Sequence, residues 1–243
     1  LGAGTNCGTG TVVIMDEGFD GGIPADWLVT DEDGSGLVWT DIAGSGEGGN
    51  YTGGAGEAAC ASSDFFGSAS YDTWLLSPLM ALSGTLGAVL DCDANFQNFA
   101  GYDYFYCDVS YDGGGSWTNL LTWNEDHGSL WGPTFEHVTL TFAAGSATTK
   151  LRWRYYDPVA HYNWYAQIDN VVVGAEVLGD NPCNLYMDVK PGACPNWFNR
   201  QGHGLLPIAL LGTAGFDVSL IDMDTVMMHR WDGLGSPVAP YAG

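Results

Sequence analysis

The sequence predicts an all-β protein: an antiparallel jelly-roll β-sandwich followed by a smaller, incomplete β unit. Three observations carry that expectation. Short apolar segments bounded by Gly, Asp, Asn and Pro recur along the first 173 residues. Ala, Leu, Glu, Lys and Arg rarely repeat at a helical period, whereas strands reveal themselves by period-2 alternation. Hydrophobic residues make up 46% of the 243 positions, enough to bury a core, and the 36 glycines show no collagen period.

The strand-like segments are Thr11–Met15, Leu37–Thr40, Glu57–Ala61, Leu86–Asp93, Tyr102–Tyr111, Trp117–Trp123, Thr134–Phe142, Lys150–Tyr156 and Tyr165–Val173. In Lys150–Tyr156 the residues Leu151, Trp153 and Tyr155 alternate with Arg152 and Arg154, the pattern of a strand with one buried and one wet face. The run Asp112-Gly113-Gly114-Gly115 supplies the positive φ values of a tight hairpin turn. The stretch from Gly179 to Pro182 reads as a linker, which divides the chain into residues 1–178 and 179–243. The second part offers Leu185–Val189, Leu205–Leu211 and Thr225–His229, with Pro207 implying an edge strand or a bulge. Three strands are too few for an independent sandwich, so this unit is expected to lean on the first or on another molecule.

Charge narrows the function. Twenty-two Asp and seven Glu face six Lys and Arg, a net charge of -23. Nucleic-acid binding needs clustered cations and is excluded. No apolar run approaches the roughly 20 residues of a membrane span. Six cysteines without a CxxC pair favour disulfides in an oxidising compartment. Proximity suggests Cys183–Cys194 as a local loop and Cys92–Cys107 across a hairpin, leaving Cys7–Cys60. A start at Leu1 without an initiator methionine fits a processed, secreted chain.

Aspartate bonds backbone in turns and ligates hard cations, so its excess has two readings. A Cys92–Cys107 hairpin would set Asp91 opposite Asp108 and Asp93 opposite Tyr106, and facing carboxylates call for exposure or a cation. Asp31-Glu32-Asp33-Gly34 packs carboxylates into a turn, either as an Asx turn or as part of a calcium loop. Glu17 and Asp20 flank Phe19, and Asp169 lies inside an apolar strand, where a charge is costly unless paired or metal-bound. Catalytic signatures are thin. Glu125 and Asp126 are adjacent, so on a strand they point to opposite faces, and enzyme activity is not expected. The aromatics Trp123, Trp131, Tyr162, Trp164 and Tyr165 belong either to the core or to a surface that stacks on sugar rings. Asn50-Tyr51-Thr52 is an N-glycosylation sequon.

Several motifs fall in a known order: Glu17-Gly-Phe-Asp20, Ile23-Pro-Ala-Asp-Trp27, Trp39, Trp74-Leu-Leu-Ser-Pro78, Gly101-Tyr-Asp-Tyr-Phe105, Ser110-Tyr-Asp-Gly-Gly-Gly-Ser-Trp117 and Ile168-Asp-Asn-Val171. Over Glu17 to Val173 the chain resembles the cleaved-adhesin or choice-of-anchor family, relatives of the MAM-type jelly rolls. The resemblance implies an extracellular, non-catalytic sandwich stabilised by calcium, with Glu17, Asp20, Asp91 and Asp169 as favoured ligands and Asp31 and Asp33 next. Residues Cys183 to Pro240, with Met187-Asp-Val-Lys-Pro-Gly192 and Gly204-Leu-Leu-Pro-Ile-Ala-Leu-Leu-Gly212, are similar to a small module of secreted bacterial and archaeal proteins. That module continues into a calcium loop and a last strand, which this sequence lacks. The leading expectation is therefore a calcium-bound, disulfide-bonded surface protein that assembles with copies of itself into a filament. The alternative is an adhesion or carbohydrate-binding module of a larger secreted enzyme.

Overall fold

A computed structural model describes residues 9–65, 67–143 and 145–178, and beyond them 186–192, 194, 207–211, 218, 221, 226 and 227. Residues 10–178 form one compact unit. Its described residues, with Thr9 before them, form eleven strands in two sheets. The first sheet orders β3 (Thr40–Asp41), β4 (Ala59–Ser62), β11 (Tyr165–Leu178), β6 (Gly87–Phe96) and β9 (Glu136–Ala143), with β1 (Thr9–Glu17) also pairing with β11. The second orders β2 (Leu28–Asp31), β5 (Tyr71–Leu76), β10 (Lys150–Asp157), β7 (Tyr104–Ser110) and β8 (Thr118–Trp123). The ladders between these neighbours are antiparallel, as expected of the sandwich. A single helical turn, α1 (Ile42–Ser45), is capped by the Asp41 carboxylate, which accepts a hydrogen bond from Gly44 N at 2.6 Å.

Period-2 alternation builds the core. Ala88, Leu90, Cys92 and Ala94 point inward from β6, Phe105, Cys107 and Val109 from β7, and Leu151, Trp153 and Tyr155 from β10. The filling is strongly aromatic. Phe19 meets Trp27 edge-on at 4.9 Å, Trp27 lies 5.7 Å from Trp153, and Phe96 stacks on Phe105 at 5.8 Å. Such pairs add to the stabilisation that their buried area supplies.

In β11 the alternation changes phase. Ala166 and Ile168 face the core, then Val171, Val173 and Ala175 do. A β-bulge between Asp169 and Val172 absorbs the extra residue, with Asn170 at a φ of 50°. Asparagine tolerates this left-handed conformation better than most side chains. The turn from β7 to β8 behaves as expected, with Gly113 at a φ of 78° and Gly114 at 108°. The Asp112 carboxylate caps it by accepting from Ser116 N and Oγ and from Ser110 Oγ.

The structure corrects the expected Cys92–Cys107 hairpin. The two strands join opposite sheets: β6 pairs with β9 and β11, β7 with β8 and β10. Asp91 therefore faces Thr139 and Val172, Asp93 faces His137 and Asp169, and Asp108 faces Arg152. Cys92 and Cys107 are free thiols that enter the core from opposite sides. Burial pushes the Cys92 thiol up to about 12 and raises that of Cys107 well above its ordinary value. Two strands absent from the sequence expectation, β2 and β5, sit at one side of the second sheet. The expected strand at Leu37–Thr40 contracts to β3.

Of the second unit, β12 (Tyr186–Val189) and β13 (Ile208–Leu211) form an antiparallel pair. Pro207 stands just before β13, a position that proline tolerates, and its carbonyl accepts from Lys190 N at 2.7 Å. Cys7, Cys183, the Gly179–Pro182 linker and most of the expected Thr225–His229 strand lie outside the described residues, and with them the pairings Cys7–Cys60 and Cys183–Cys194. Among the described residues no helix is long and apolar enough to cross a membrane.

Leu90 is fully buried in the middle of β6. Leu90→Ala is expected to destabilise the fold by about 2–5 kcal/mol, read from the shift in denaturant midpoint.

Candidate functional site

The outer face of the second sheet brings cations and aromatic rings together. Arg152 and Arg154, two of the chain's six cations, project from the central strand β10. Around them stand Trp74 from β5, Tyr104 and Tyr106 from β7, Tyr156 from β10, and Trp117 at the entry to β8. The Arg152 guanidinium lies 4.1 Å from the Trp74 ring centroid and 4.4 Å from that of Trp117. The Arg154 guanidinium lies 4.4 Å from the Tyr156 ring and 5.6 Å from Tyr106. Tyr104 stacks on Tyr106 at 6.0 Å and 12°. Cation–π contacts of this kind hold a charge over an apolar plate.

Register explains the convergence. Arg154 is directly opposite Tyr106 and Trp74, Tyr156 opposite Tyr104 and Asp72, and Arg152 opposite Asp108. The diagonal neighbour of Arg154 is Asp72, which accepts from Nε and Nη2 at 2.6 Å each, a bidentate pair. Asp108 Oδ2 accepts from Arg152 Nε at 2.9 Å and Nη2 at 2.8 Å, while Oδ1 accepts from Asn119 Nδ2 at 2.8 Å. Each guanidinium is thus neutralised in place. The result is a face of half-buried rings, paired N–H groups and carboxylate oxygens in which each guanidinium has its own carboxylate.

The acidic residues expected to bind metal are distributed differently. Asp108 belongs to the face just described. Asp31 accepts from Gly34 N and Gly36 N, and Asp33 from Ser35 N, so this loop is an Asx turn. Asp91 accepts from Thr139 Oγ1 at 2.6 Å, and Asp93 pairs with His137 Nδ1 at 2.8 Å and accepts from Asn170 Nδ2 at 2.9 Å. Glu17 accepts from Phe19 N at 2.7 Å. Among the described residues no three His, Cys, Asp or Glu side chains converge closely enough to hold an ion.

Asp169, only 1% exposed, is satisfied by neutral donors. Its Oδ2 accepts from Asn50 Nδ2 at 2.7 Å and Thr52 Oγ1 at 3.1 Å, and its Oδ1 from Asn170 N at 2.7 Å. Burial raises its pKa, and the charge of Asp20 adds to the rise. The loop between these two acids has no room for side chains: a Cβ on Gly54 would meet Asp169 Oδ2 at 1.9 Å, and one on Gly56 would meet Asp20 Oδ1 at 2.9 Å. Asp20 and Asp169 with their glycine-lined cradle fit an oxygen-ligated cation. The sequon residue Asn50 has its amide on Asp169 and on the Glu57 carbonyl, so a sugar attached there would displace one of these bonds.

The aromatics singled out from the sequence divide. Tyr165 is buried, and its hydroxyl accepts from Trp131 N at 3.0 Å. Trp123 packs between Phe105 and His127. Trp131 and Tyr162 remain exposed, with Trp164 edge-on to Trp131 at 5.3 Å. Of the adjacent acids, Asp126 accepts from Asn98 N at 2.8 Å and so braces a loop.

The fold is similar to that of the K3 cleaved adhesin domain of Lys-gingipain from Porphyromonas gingivalis W83, at 23% identity and a TM-score of 0.52, over 68% of this chain and 99% of that one. The K1 domain of the same protein matches at 21% identity and a TM-score of 0.50, over 68% and 97%. At these identities the likeness is one of fold, an adhesin-like β-sandwich, and it extends to neither the choice-of-anchor nor the MAM label. No protein-family model matches the chain, and no curated protein matches it.

His137 lies between Asp93 and Asp91, at 2.8 and 3.7 Å. The hydrogen bond with Asp93 is the main cause of a pKa raised above 6.5. A raised histidine pKa stabilises the fold fully below the unfolded value, and that contribution fades as pH climbs through the folded one. Histidine NMR titration is expected to give His137 a midpoint above 6.5 that Asp93→Asn returns toward the ordinary value.

Proposed function

We propose that the protein is an extracellular adhesion module whose outer β2-β5-β10-β7-β8 face binds neutral glycans. The placement of Arg152 and Arg154 among five aromatic rings carries this reading. Pyranose rings present an apolar face that lies flat on an aromatic plate and a rim of hydroxyls that both donate and accept. The Trp74, Trp117, Tyr104, Tyr106 and Tyr156 rings offer the plates, and the Arg–Asp pairs offer donors and acceptors already held in place, which lowers the entropic cost of binding. The overall charge of -23 repels acidic polysaccharides and favours uncharged ones.

Calcium belongs to this proposal as a structural cation. Asp20 and Asp169 would hold it, joining the loop after β1 to the bulge of β11 and offsetting two nearby carboxylates. It supplies cross-linking charge and no chemistry. Self-assembly into a filament, the other expectation from the sequence, rests on the C-terminal unit, most of which lies outside the described residues.

Isothermal titration against a panel of neutral oligosaccharides is expected to find a ligand that Tyr156→Ala or Trp117→Ala weakens tenfold or more, about 1.4 kcal/mol. Trp131→Ala, in the exposed loop cluster, should leave affinity unchanged. Chelator is expected to lower the melting temperature, because a cation bound only to the folded state stabilises it. Asp169→Asn should shrink that shift.

A further inference from the structure

The inward register of β10 does not stop at Tyr155. It continues to Asp157, fully buried at the end of the strand. Two more polar residues, Asp103 from the loop entering β7 and Asn163 from the loop leaving β10, are equally buried. Asp103 and Asp157 are within Coulombic reach of one another, and the Asn163 side chain stands close enough to Asp157 to favour its charged form, though not in hydrogen-bond geometry. Burial, the larger cause, and the neighbouring acid push the Asp103 carboxyl up to about 6.

Most of the surrounding groups are accounted for. Asp103 Oδ1 accepts from Phe99 N at 3.0 Å, and its Oδ2 from the Tyr155 hydroxyl at 3.3 Å. Asp157 Oδ1 accepts from Val159 N at 3.1 Å, and Ser63 Oγ donates to the Asn163 carbonyl at 2.7 Å. Three atoms are left over: Asp157 Oδ2 and both side-chain atoms of Asn163 are buried without a hydrogen-bond partner. Native interiors rarely leave such groups unmet, and among the described residues no Arg or Lys offsets the two acids. The His161 charge and the Val159 and Ala160 backbone groups oppose the effect of burial on Asp157 without neutralising Asp103.

We propose that Asp103, Asp157 and Asn163 form a second cation site, which takes a calcium ion through their carboxylate and amide oxygens. The donor set is oxygen only, as calcium prefers, and two carboxylates match a divalent charge. Unlike the Asp20–Asp169 cradle, this site draws on no part of the glycan reading. It ties the 97–103 loop to the 158–164 loop, and these carry the exposed rings of Phe99, Tyr102 and Tyr162.

The test measures melting temperature in chelator and in calcium chloride, in an Asp169→Asn background that silences the other cradle. Calcium should still raise the melting temperature in that background, and adding Asp157→Asn should abolish the increment. In chelator Asp157→Asn should itself melt higher, because it removes one of two adjacent buried charges. An increment that Asp157→Asn leaves untouched, or no increment in the Asp169→Asn background, overturns the proposal. Crystals grown with terbium give the second readout. An anomalous peak between Asp157 and Asn163 is expected, and an ordered water there without anomalous signal overturns the site.

Discussion

The period-2 geometry of β10 is the constraint on which the rest of the molecule depends. One strand at the centre of its sheet supplies Leu151, Trp153 and Tyr155 to the core and, from the intervening positions, Arg152, Arg154 and Tyr156 to the candidate site. A slip of one residue would exchange the two sets and bury both guanidinium groups. The core packing that fixes this register therefore also fixes the outer face. Neither could be altered without the other.

The same geometry shows how an acidic chain tolerates carboxylates inside its sheets. Asp108 and Asp72 sit beside guanidinium groups that β10 delivers across the ladder. Asp169 is accommodated by a bulge that turns it toward the Asn50 loop while Ile168 and Val171 both keep their places in the core. Asp112 closes a hairpin by satisfying backbone donors. Removing one partner of the buried Arg152–Asp108 pair would leave an uncompensated charge at a cost of several kcal/mol, so this pairing is a constraint on the sequence.

Much of the sandwich was legible because strand burial writes alternation directly into the residues, as in Lys150–Asp157, and because turns demand particular chemistry, as at Asp112–Gly115. Sheet membership was not legible. Strands β6 and β7 are consecutive, yet they belong to opposite sheets, so the hairpin expected between Cys92 and Cys107 placed Asp91 and Asp108 together when they lie on different layers. Strand β5 went unrecognised because Tyr71-Asp-Thr-Trp-Leu-Leu ends in an apolar pair that blurs its alternation. The candidate site has no local signature either, since its residues come from three strands and a turn. The available signal was scarcity: in a chain with six cations, two placed at alternate positions on one strand mark its outward face as special. The phase change in β11, from Ile168 to Val171, likewise pointed to a bulge at Asp169.

The glycan-binding face is tested most directly by NMR of the full chain during titration with a neutral oligosaccharide, following the indole and guanidinium N–H signals. The account predicts that the signals of Trp74, Trp117, Arg152 and Arg154 shift together, while that of the buried Trp153 stays still. Shifts confined to Trp131 and Trp164, with the arginine signals unmoved, would contradict it.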